Sequence, residues 1–518
     1  MNIVHFTRCS NGVPIDFTAI QKRSIWTQRD PQADERLGII KSWLAECHAH
    51  ESCKHGELVL PKRVIDVDSM TLYEPGPYNT GHYAALSYCW GRDSSGNGIL
   101  TMKTTTNNLE DRKISLCLEG ETMHKTFVDA IAITRGLGIR YLWIDALCIV
   151  QGDDGDFESE AGKMAAYYRN ATLTLAATDS VDCEGGMLYP ANCRERFTAS
   201  RFTHRDKTVY AFLESIQTDL EHGINSAPLN QRGWVLQEGI LSRRMVHFCK
   251  KQLIWECMTE IASEDGLVVL NKDHLRRPFA PSTISDRQGL YAEWDAIVQD
   301  YSSRLLSQAR DKTLALAGAT THFAHLLCDE PLLGLWRNDL HTGLLWRAAE
   351  PRDRVSAAEL KSIPSWSWMV VDGPVTFDTK YQIALRNPEN IKMAMKVKEA
   401  FAKWKGEELT SEVTQACLVV SGRLIPFKPS STTNGDIWWD SPGRPDGNTF
   451  LLLVAQVKKR LEQIANGNWK FRSRAHFLIL SETSKKDVYS RVGMGVANNS
   501  EGIGGHFADQ SEETIVLV

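Results

Sequence analysis

From residue 141 to residue 151 the chain runs Tyr-Leu-Trp-Ile-Asp-Ala-Leu-Cys-Ile-Val-Gln, almost wholly apolar, and then breaks into Gly152-Asp-Asp-Gly-Asp156. A short run rich in aromatic and β-branched residues, closed by turn formers, predicts a strand buried on both faces, central in a parallel sheet. The flanks show the helical period instead. Thr126-Phe-Val-Asp129 reads as a capping box that opens a helix through about Leu137, and residues 157–168 place Phe157, Ala161, Met164 and Tyr168 on one face. Residues 171–177 predict the next strand. Helix, strand, helix, strand with short links is the order of a βαβ unit, and sheets of that kind bind ligands beyond the carboxyl ends of their strands. Asp145, Cys148, Gln151 and the acidic loop fall at that edge.

Upstream, residues 34–50 predict a helix with Leu37, Ile40, Leu44 and Cys47 on one face, and residues 58–67 predict extended structure. After the turn formers of residues 75–81, residues 82–91 predict a strand that runs into a small-residue loop; this stretch alone fits a nucleotide or substrate pocket and a plugged strand end equally. Downstream lie a short strand at 209–213, a helix over 230–244 and strands at 245–248 and 252–257. Residues 260–290 read as a linker, 292–327 as helix and 332–346 as a further helix with breaks. From Pro364 the pattern turns to β: residues 391–398 fit strand or helix, and 416–424, 450–455, 476–480 and 514–518 are clearer strands. Residues 428–448 are the best candidate for a disordered loop. Four parts follow: a leader with a Cys/His helix (1–80), an α/β domain with an open, mostly parallel sheet flanked by helices (81–260), a helical connector (261–360) and a β-rich C-terminal domain (361–518).

A chain of 518 residues exceeds one ordinary core, which agrees with several domains. The formal charge of −5 and the absence of a polybasic tract argue against nucleic acid or a membrane surface as partner. No run reaches the roughly 18 apolar residues of a membrane helix, and the first residues lack the pattern of a signal peptide, so a cytoplasmic location is expected. The twelve cysteines are then mostly reduced and buried. The fifteen tryptophans recur in mixed motifs such as Cys89-Trp-Gly, Arg232-Gly-Trp and Pro364-Ser-Trp-Ser-Trp368, where an indole supplies packing area and one N–H donor.

Candidate chemistry is sparse. Cys47-His-Ala-His-Glu-Ser-Cys-Lys-His55 offers two thiolates and three imidazoles, but structural zinc needs four placed ligands and no second Cys or His pair is near in sequence. A buried Cys/His cluster without metal is expected. On a helix Trp234 and Glu238 share a face, and an aromatic beside a carboxylate raises its pKa, although such a Glu also pairs readily with an arginine. Asp145 is open between a ligand contact and a structural role near Arg232 or Arg243. Cys148 lacks an identifiable His partner and reads as inert, and His247 reads as a satisfied core histidine. Neither dinucleotide nor P-loop glycine fingerprints occur.

The blocks Tyr83-Ala-Ala-Leu-Ser-Tyr-Cys-Trp-Gly91, Leu142-Trp-Ile-Asp-Ala-Leu-Cys-Ile-Val-Gln151 with Met164 and Tyr168, and Arg232-Gly-Trp-Val-Leu-Gln-Glu238 with Leu241-Ser-Arg243 resemble, in order and spacing, the heterokaryon incompatibility (HET) domain of filamentous fungi. The resemblance covers residues 81–257. It implies programmed cell death on nonself recognition, a protein partner, self-association and a TIR-like fold. Some TIR domains cleave NAD with the glutamate of a Trp-x-x-x-Glu arrangement, which Trp234 and Glu238 reproduce. The implied site is Glu238 and Asp145 for catalysis, with Ser87, Tyr88, Trp90, Gly91, Trp143, Gln151, Arg232 and Trp234 binding substrate. NAD is the candidate substrate and no cofactor or metal is implied. The competing reading is a non-enzymatic, self-associating adaptor in which the same residues form a buried hydrogen-bonded network.

Overall fold

A computed structural model describes residues 33–54, 58–76, 78–189, 199–204, 207–212, 221–250, 252–264, 269–271, 286–350, 363–377, 386, 390–428, 435–442, 447–463, 469–498, 506–507 and 510–518. The chain divides into two compact units, Met1–Thr283 and Ile284–Val518.

The first unit contains, in chain order, α1 (Ala33–Cys47), β1 (Val64–Asp66), β2 (Thr71–Tyr73), β3 (Tyr83–Ser87), α2 (Leu109–Ile114), α3 (Lys125–Gly136), β4 (Tyr141–Trp143) and α4 (Asp145–Cys148). It continues with α5 (Phe157–Ala161), α6 (Met164–Asn170), β5 (Leu173–Ala176), β6 (Ala199–His204), β7 (Lys207–Phe212) and α7 (Gly233–Leu241). The strands β8 (Arg244–Phe248), β9 (Leu253–Cys257), β10 (Glu260–Ser263) and β11 (Val269–Asn271) complete it. Apart from the β6–β7 hairpin, the strands form one sheet in the order β11-β10-β9-β8-β5-β3-β4-β1-β2.

The sheet is mixed, which corrects the expectation of a mostly parallel one. Only β4, β3, β5 and β8 run parallel to their neighbours within the block, because each of those links passes through helices that can return the chain to the same end. On one side β9, β10 and β11 are added antiparallel, and on the other the β1–β2 hairpin is added antiparallel through the pairing of β1 with the distant β4. The stretch read as a linker at about 260–290 therefore supplies the last two strands on that side, β10 and the edge strand β11, and, from Arg287, a helix of the second unit.

The apolar run at 141–151 is not one strand. It forms β4 for three residues, turns at Ile144 and winds into the single helical turn α4, where the amide of Cys148 bonds the carbonyl of Ile144. Ala146, Leu147, Cys148, Ile149 and Val150 are buried, so the run is apolar for burial and carries no periodicity to mark the change. The central strands are β5 and β3. The capping box is also not formed: α3 starts at Lys125, and Thr126 and Asp129 instead accept hydrogen bonds from Gly186, Met187 and Leu188, fastening that loop to the helix. The single helix expected at 157–168 is broken between α5 and α6 at Gly162-Lys163.

The second unit begins with α8 (Arg287–Ser303), α9 (Ala317–Leu327), the hairpin β12 (Pro331–Leu332) and β13 (Leu335–Trp336), α10 (Leu340–Gly343), and the pair β14 (Arg347–Ala348) and β15 (Val375–Thr376). Two corrections follow. The helix expected over 292–327 is two helices separated by 3-10 turns, and the broken helix over 332–346 is a hairpin and one helical turn. Leu333 and Gly334 both have positive φ, the geometry that reverses a chain in two residues. Ile391–Met393 (β16), Lys396–Trp404 (β17), Val413–Phe427 (β18), Gly435–Trp439 (β19), Thr449–Gln463 (β20), Trp469–Glu482 (β21), Val488–Asn498 (β22) and Glu512–Leu517 (β23) follow. Pairing of β18 with both β20 and β23 closes β20-β21-β22-β23-β18 into a barrel around Phe427, Leu451, Leu453, Phe477, Ile479 and Phe507. Part of the loop read as disordered, residues 435–439, is β19 paired with β22; residues 429–434 and 443–446 lie outside the described residues.

Candidate functional site

Three distant segments meet at the carboxyl ends of β3 and β4. β3 is buried along its whole length between β4 and β5, and it delivers Ser87 and Tyr88 to the sheet edge before the chain leaves through Cys89, Trp90 and Gly91. Asp145 sits two residues past β4. Its Oδ1 takes the N–H of Ala146 at 2.7 Å and its Oδ2 takes the indole N–H of Trp90 at 2.9 Å. α7 supplies the third segment: Arg232, the residue before its first turn, donates from Nη1 to the carbonyl of Tyr88, and Glu238 lies on its buried face. Tyr168 of α6 closes the group by donating to the carbonyl of Leu86 at 3.1 Å. Exposure is graded. Ser87, Tyr88, Tyr168 and Glu238 form a buried floor, whereas Trp90, Gly91, Asp145, Gln151, Arg232 and Trp234 are half-buried.

The electrostatics of this group are unbalanced. Burial pushes the Glu238 carboxyl up to about 7; the nearby Asp145 adds to the rise, and Ser87, Arg232 and Tyr168 oppose it. Burial also raises Asp145, against the pull of Arg232, Tyr88, the Trp90 indole and the Ala146 amide. Arg232 acts on both carboxylates through space and is the ion-pair partner of neither. Three polar atoms on the floor, Ser87 Oγ, Tyr88 Oη and Glu238 Oε2, are buried without a well-formed hydrogen bond. Each such atom costs free energy unless something else meets it, and a group of them at one sheet edge is a feature of a site that receives a ligand.

The other residues singled out from the sequence have different surroundings. Trp143 is buried against the rings of Tyr167 and Tyr168, with centroids at 5.6 and 5.5 Å, and so positions Tyr168 from behind. Trp234 meets Phe157 of α5 edge to face at 6.4 Å. The amide side chain of Gln151 donates to the carbonyl of Ile149 at 3.1 Å and bends back toward that of Asp145. At Gly91, φ is +84°, and an added Cβ would lie 2.4 Å from Cβ of Asp182, so only glycine lets the two loops pass. In the acidic loop, Asp156 is taken up by Arg63, Lys62 and the Val150 amide; burial pushes its carboxyl up, but these bonds outweigh that and hold it at about 2. Cys148 is buried, its thiol raised by burial to about 12. His247 bonds Thr178 and Glu256, each at 3.1 Å, as a satisfied core histidine does.

Two participants are not among the site residues expected from sequence. Tyr168 enters there as part of a helix face and of the resemblance block, without a role at the site, and its hydroxyl faces Glu238. Cys257 was read only as a strand residue, and it joins Cys47, His50 and Cys53 in a tight group on the antiparallel side of the sheet. No helix among the described residues is long and apolar enough to cross a membrane.

Residues 83–238 match the sequence model of the family described as Heterokaryon incompatibility protein (HET). The match begins at the first residue of β3 and ends on Glu238, so it encloses all three converging segments. No curated protein and no solved structure matches the chain.

Proposed function

We propose that this chain is a heterokaryon incompatibility protein that triggers programmed cell death on fungal nonself recognition, and that it does so by hydrolysing the nicotinamide glycosidic bond of NAD. The observation that carries the reading is the pair Glu238 and Asp145: two carboxyl groups share one edge of the sheet, both raised by burial, and Arg232 opposes the rise in each without forming an ion pair with either. A bound pyridinium cation adds to the pull of Arg232 and draws both groups toward their ionised form. Nicotinamide leaves as a neutral molecule, taking the electron pair of the C–N bond, so no acid is required for its departure. The ionised Glu238 faces the oxocarbenium ion that develops at the ribose carbon. Water then adds to that carbon and gives up its proton to the carboxylate. Ser87 and Tyr88, whose hydroxyls face the two carboxyl groups without a well-formed hydrogen bond, and Asp145 with Trp90 meet the hydroxyls of the ribose. The match over 83–238 supports the incompatibility role, and we place the activity in the cytoplasm, with a protein partner and self-association upstream of it.

A second reading, a TIR-like adaptor without chemistry, draws on the bonds that do form: Trp90 to Asp145, Arg232 to the carbonyl of Tyr88, and Tyr168 to the carbonyl of Leu86. Nicotinamide release from NAD by the purified full chain separates the two. Release by wild type and its loss in Glu238→Gln, with unchanged thermal unfolding at pH 4, is the expected result. Killing on expression in the absence of any release, in concentrated samples as well as dilute ones, assigns the chain to the adaptor class.

A further inference from the structure

A compact set of ligating side chains lies away from this edge. α1 ends at Cys47, the chain passes through His50 into the single 3-10 turn Glu51–Cys53, and the turn from β9 to β10 starts opposite at Cys257. The Sγ atoms of Cys47, Cys53 and Cys257 and a ring nitrogen of His50 all lie within 4.8 Å of one another, with His50 Nδ1 3.6 Å from Cys257 Sγ. Zinc bonds of about 2.3 Å to sulfur and about 2.0 Å to nitrogen, arranged tetrahedrally, hold the donors roughly 3.5 to 4 Å apart. We propose that Cys47, His50, Cys53 and Cys257 bind one zinc ion as a closed, structural Cys3His site.

The surroundings suit thiolates better than a cluster of apolar thiols. The amides of Thr259 and Glu260 both donate to Cys257 Sγ at 3.4 Å, Arg244 Nε donates to Cys47 Sγ at 3.2 Å, and the Thr259 hydroxyl lies 3.7 Å from Cys53 Sγ. Donors converging on sulfur stabilise its anion and orient it for a metal. The charges also close: three thiolates, a neutral imidazole and Zn²⁺ sum to −1, and the buried guanidinium of Arg244 stands beside them, donating as well to the carbonyl of Cys53 at 2.8 Å. All three cysteines are fully buried and four protein donors fill the tetrahedron, which leaves no open position for substrate and marks the site as structural. The ion would join residues on either side of the matched stretch 83–238, pinning α1 to the β9–β10 turn where Trp43 already packs on Trp255 at 6.0 Å. The spacing Cys-x-x-His-x-x-Cys is visible in the sequence; the fourth ligand comes from about two hundred residues away and only the fold reveals it.

The test uses the full chain purified under reducing, chelator-free conditions and read by elemental analysis. About one zinc per chain is expected, and replacement by Co²⁺ should give the sulfur-to-metal charge-transfer band and intense visible absorption of a tetrahedral thiolate site. Cys53→Ser and Cys257→Ser should each lose the metal, and the control Cys328→Ser, at an exposed cysteine, should retain it. A chelator should lower the unfolding midpoint of wild type and leave that of Cys257→Ser unchanged. Folded wild type that takes up no zinc or cobalt on reconstitution overturns the proposal, as does zinc retained by Cys257→Ser. A disulfide among these cysteines in reduced-purified protein also overturns it. The wild-type stoichiometry and cobalt spectrum decide the matter even where a variant fails to fold.

Discussion

Glu238 is the residue on which the most can be measured. Its folded pKa of about 7 lies above the ordinary value of 4.5, so the fold favours the protonated form. The corresponding stability is fully present below about pH 4.5 and is lost as pH rises through about 7, amounting to about 3 kcal/mol at most. Glu238→Gln keeps the shape and removes the charge. Denaturant unfolding should therefore find the variant more stable than wild type at pH 8 and indistinguishable from it at pH 4. Trp90→Phe tests the neighbouring carboxyl: it deletes the one indole donor to Asp145 while keeping the ring, and should cost about 1 kcal/mol of stability together with most of any nicotinamide release. That Trp234 and Glu238 lie four residues apart on one helix was legible from the sequence. The reason for the raised pKa was not, because the groups that surround Glu238 come from β3, α4 and α6 and no local pattern reports them.

At the scale of elements, glycine decides several outcomes. Gly334 has φ +85°, and an added Cβ would lie 2.4 Å from Trp368 Nε1, the same indole that donates to the Gly334 carbonyl at 3.1 Å. Gly334→Ala should thus destabilise the second unit by about 2–3 kcal/mol, through strain in the turn and displacement of the ring, measurable as a lower denaturation midpoint. Glycine also hid β22 from the sequence reading. Gly493 and Gly495 dilute its apolar pattern, yet side chains there would strike the Trp438 carbonyl and the Phe477 ring, so the strand is built from the residues that fit under its neighbours. The run at 141–151 fails in the opposite way. Its uniform burial makes strand and helical turn look alike, and the change at Ile144 is what brings the Asp145 carboxylate within reach of Trp90.

For the molecule as a whole, the order of elements carried most of the information. The alternation of helix and strand between residues 83 and 248 identified the parallel block, whereas β1 and β2 join it through a pairing of β1 with β4 that is distant in sequence and that no local pattern reports. In the second unit, Arg491 is fully buried, bonds Asp440 at 3.1 and 3.2 Å, and lies over the Trp346 ring at 3.4 Å from its centroid. Arg491→Ala removes a buried guanidinium together with its bonds to Asp440 and to the carbonyls of Leu344 and Trp346, and should cost about 3–5 kcal/mol, read as an early unfolding transition or loss of soluble expression.

The barrel has a consequence for biosynthesis. Its seam is sealed by β23, whose partners β18 and β22 are made earlier. Until residue 517 has cleared the ribosome, both of those strands present bare edges, the kind of surface to which other nascent chains adhere. Co-translational chaperone capture should accordingly peak between the synthesis of β22 and that of β23, and a messenger truncated before codon 512 should yield aggregates in place of a shorter soluble product.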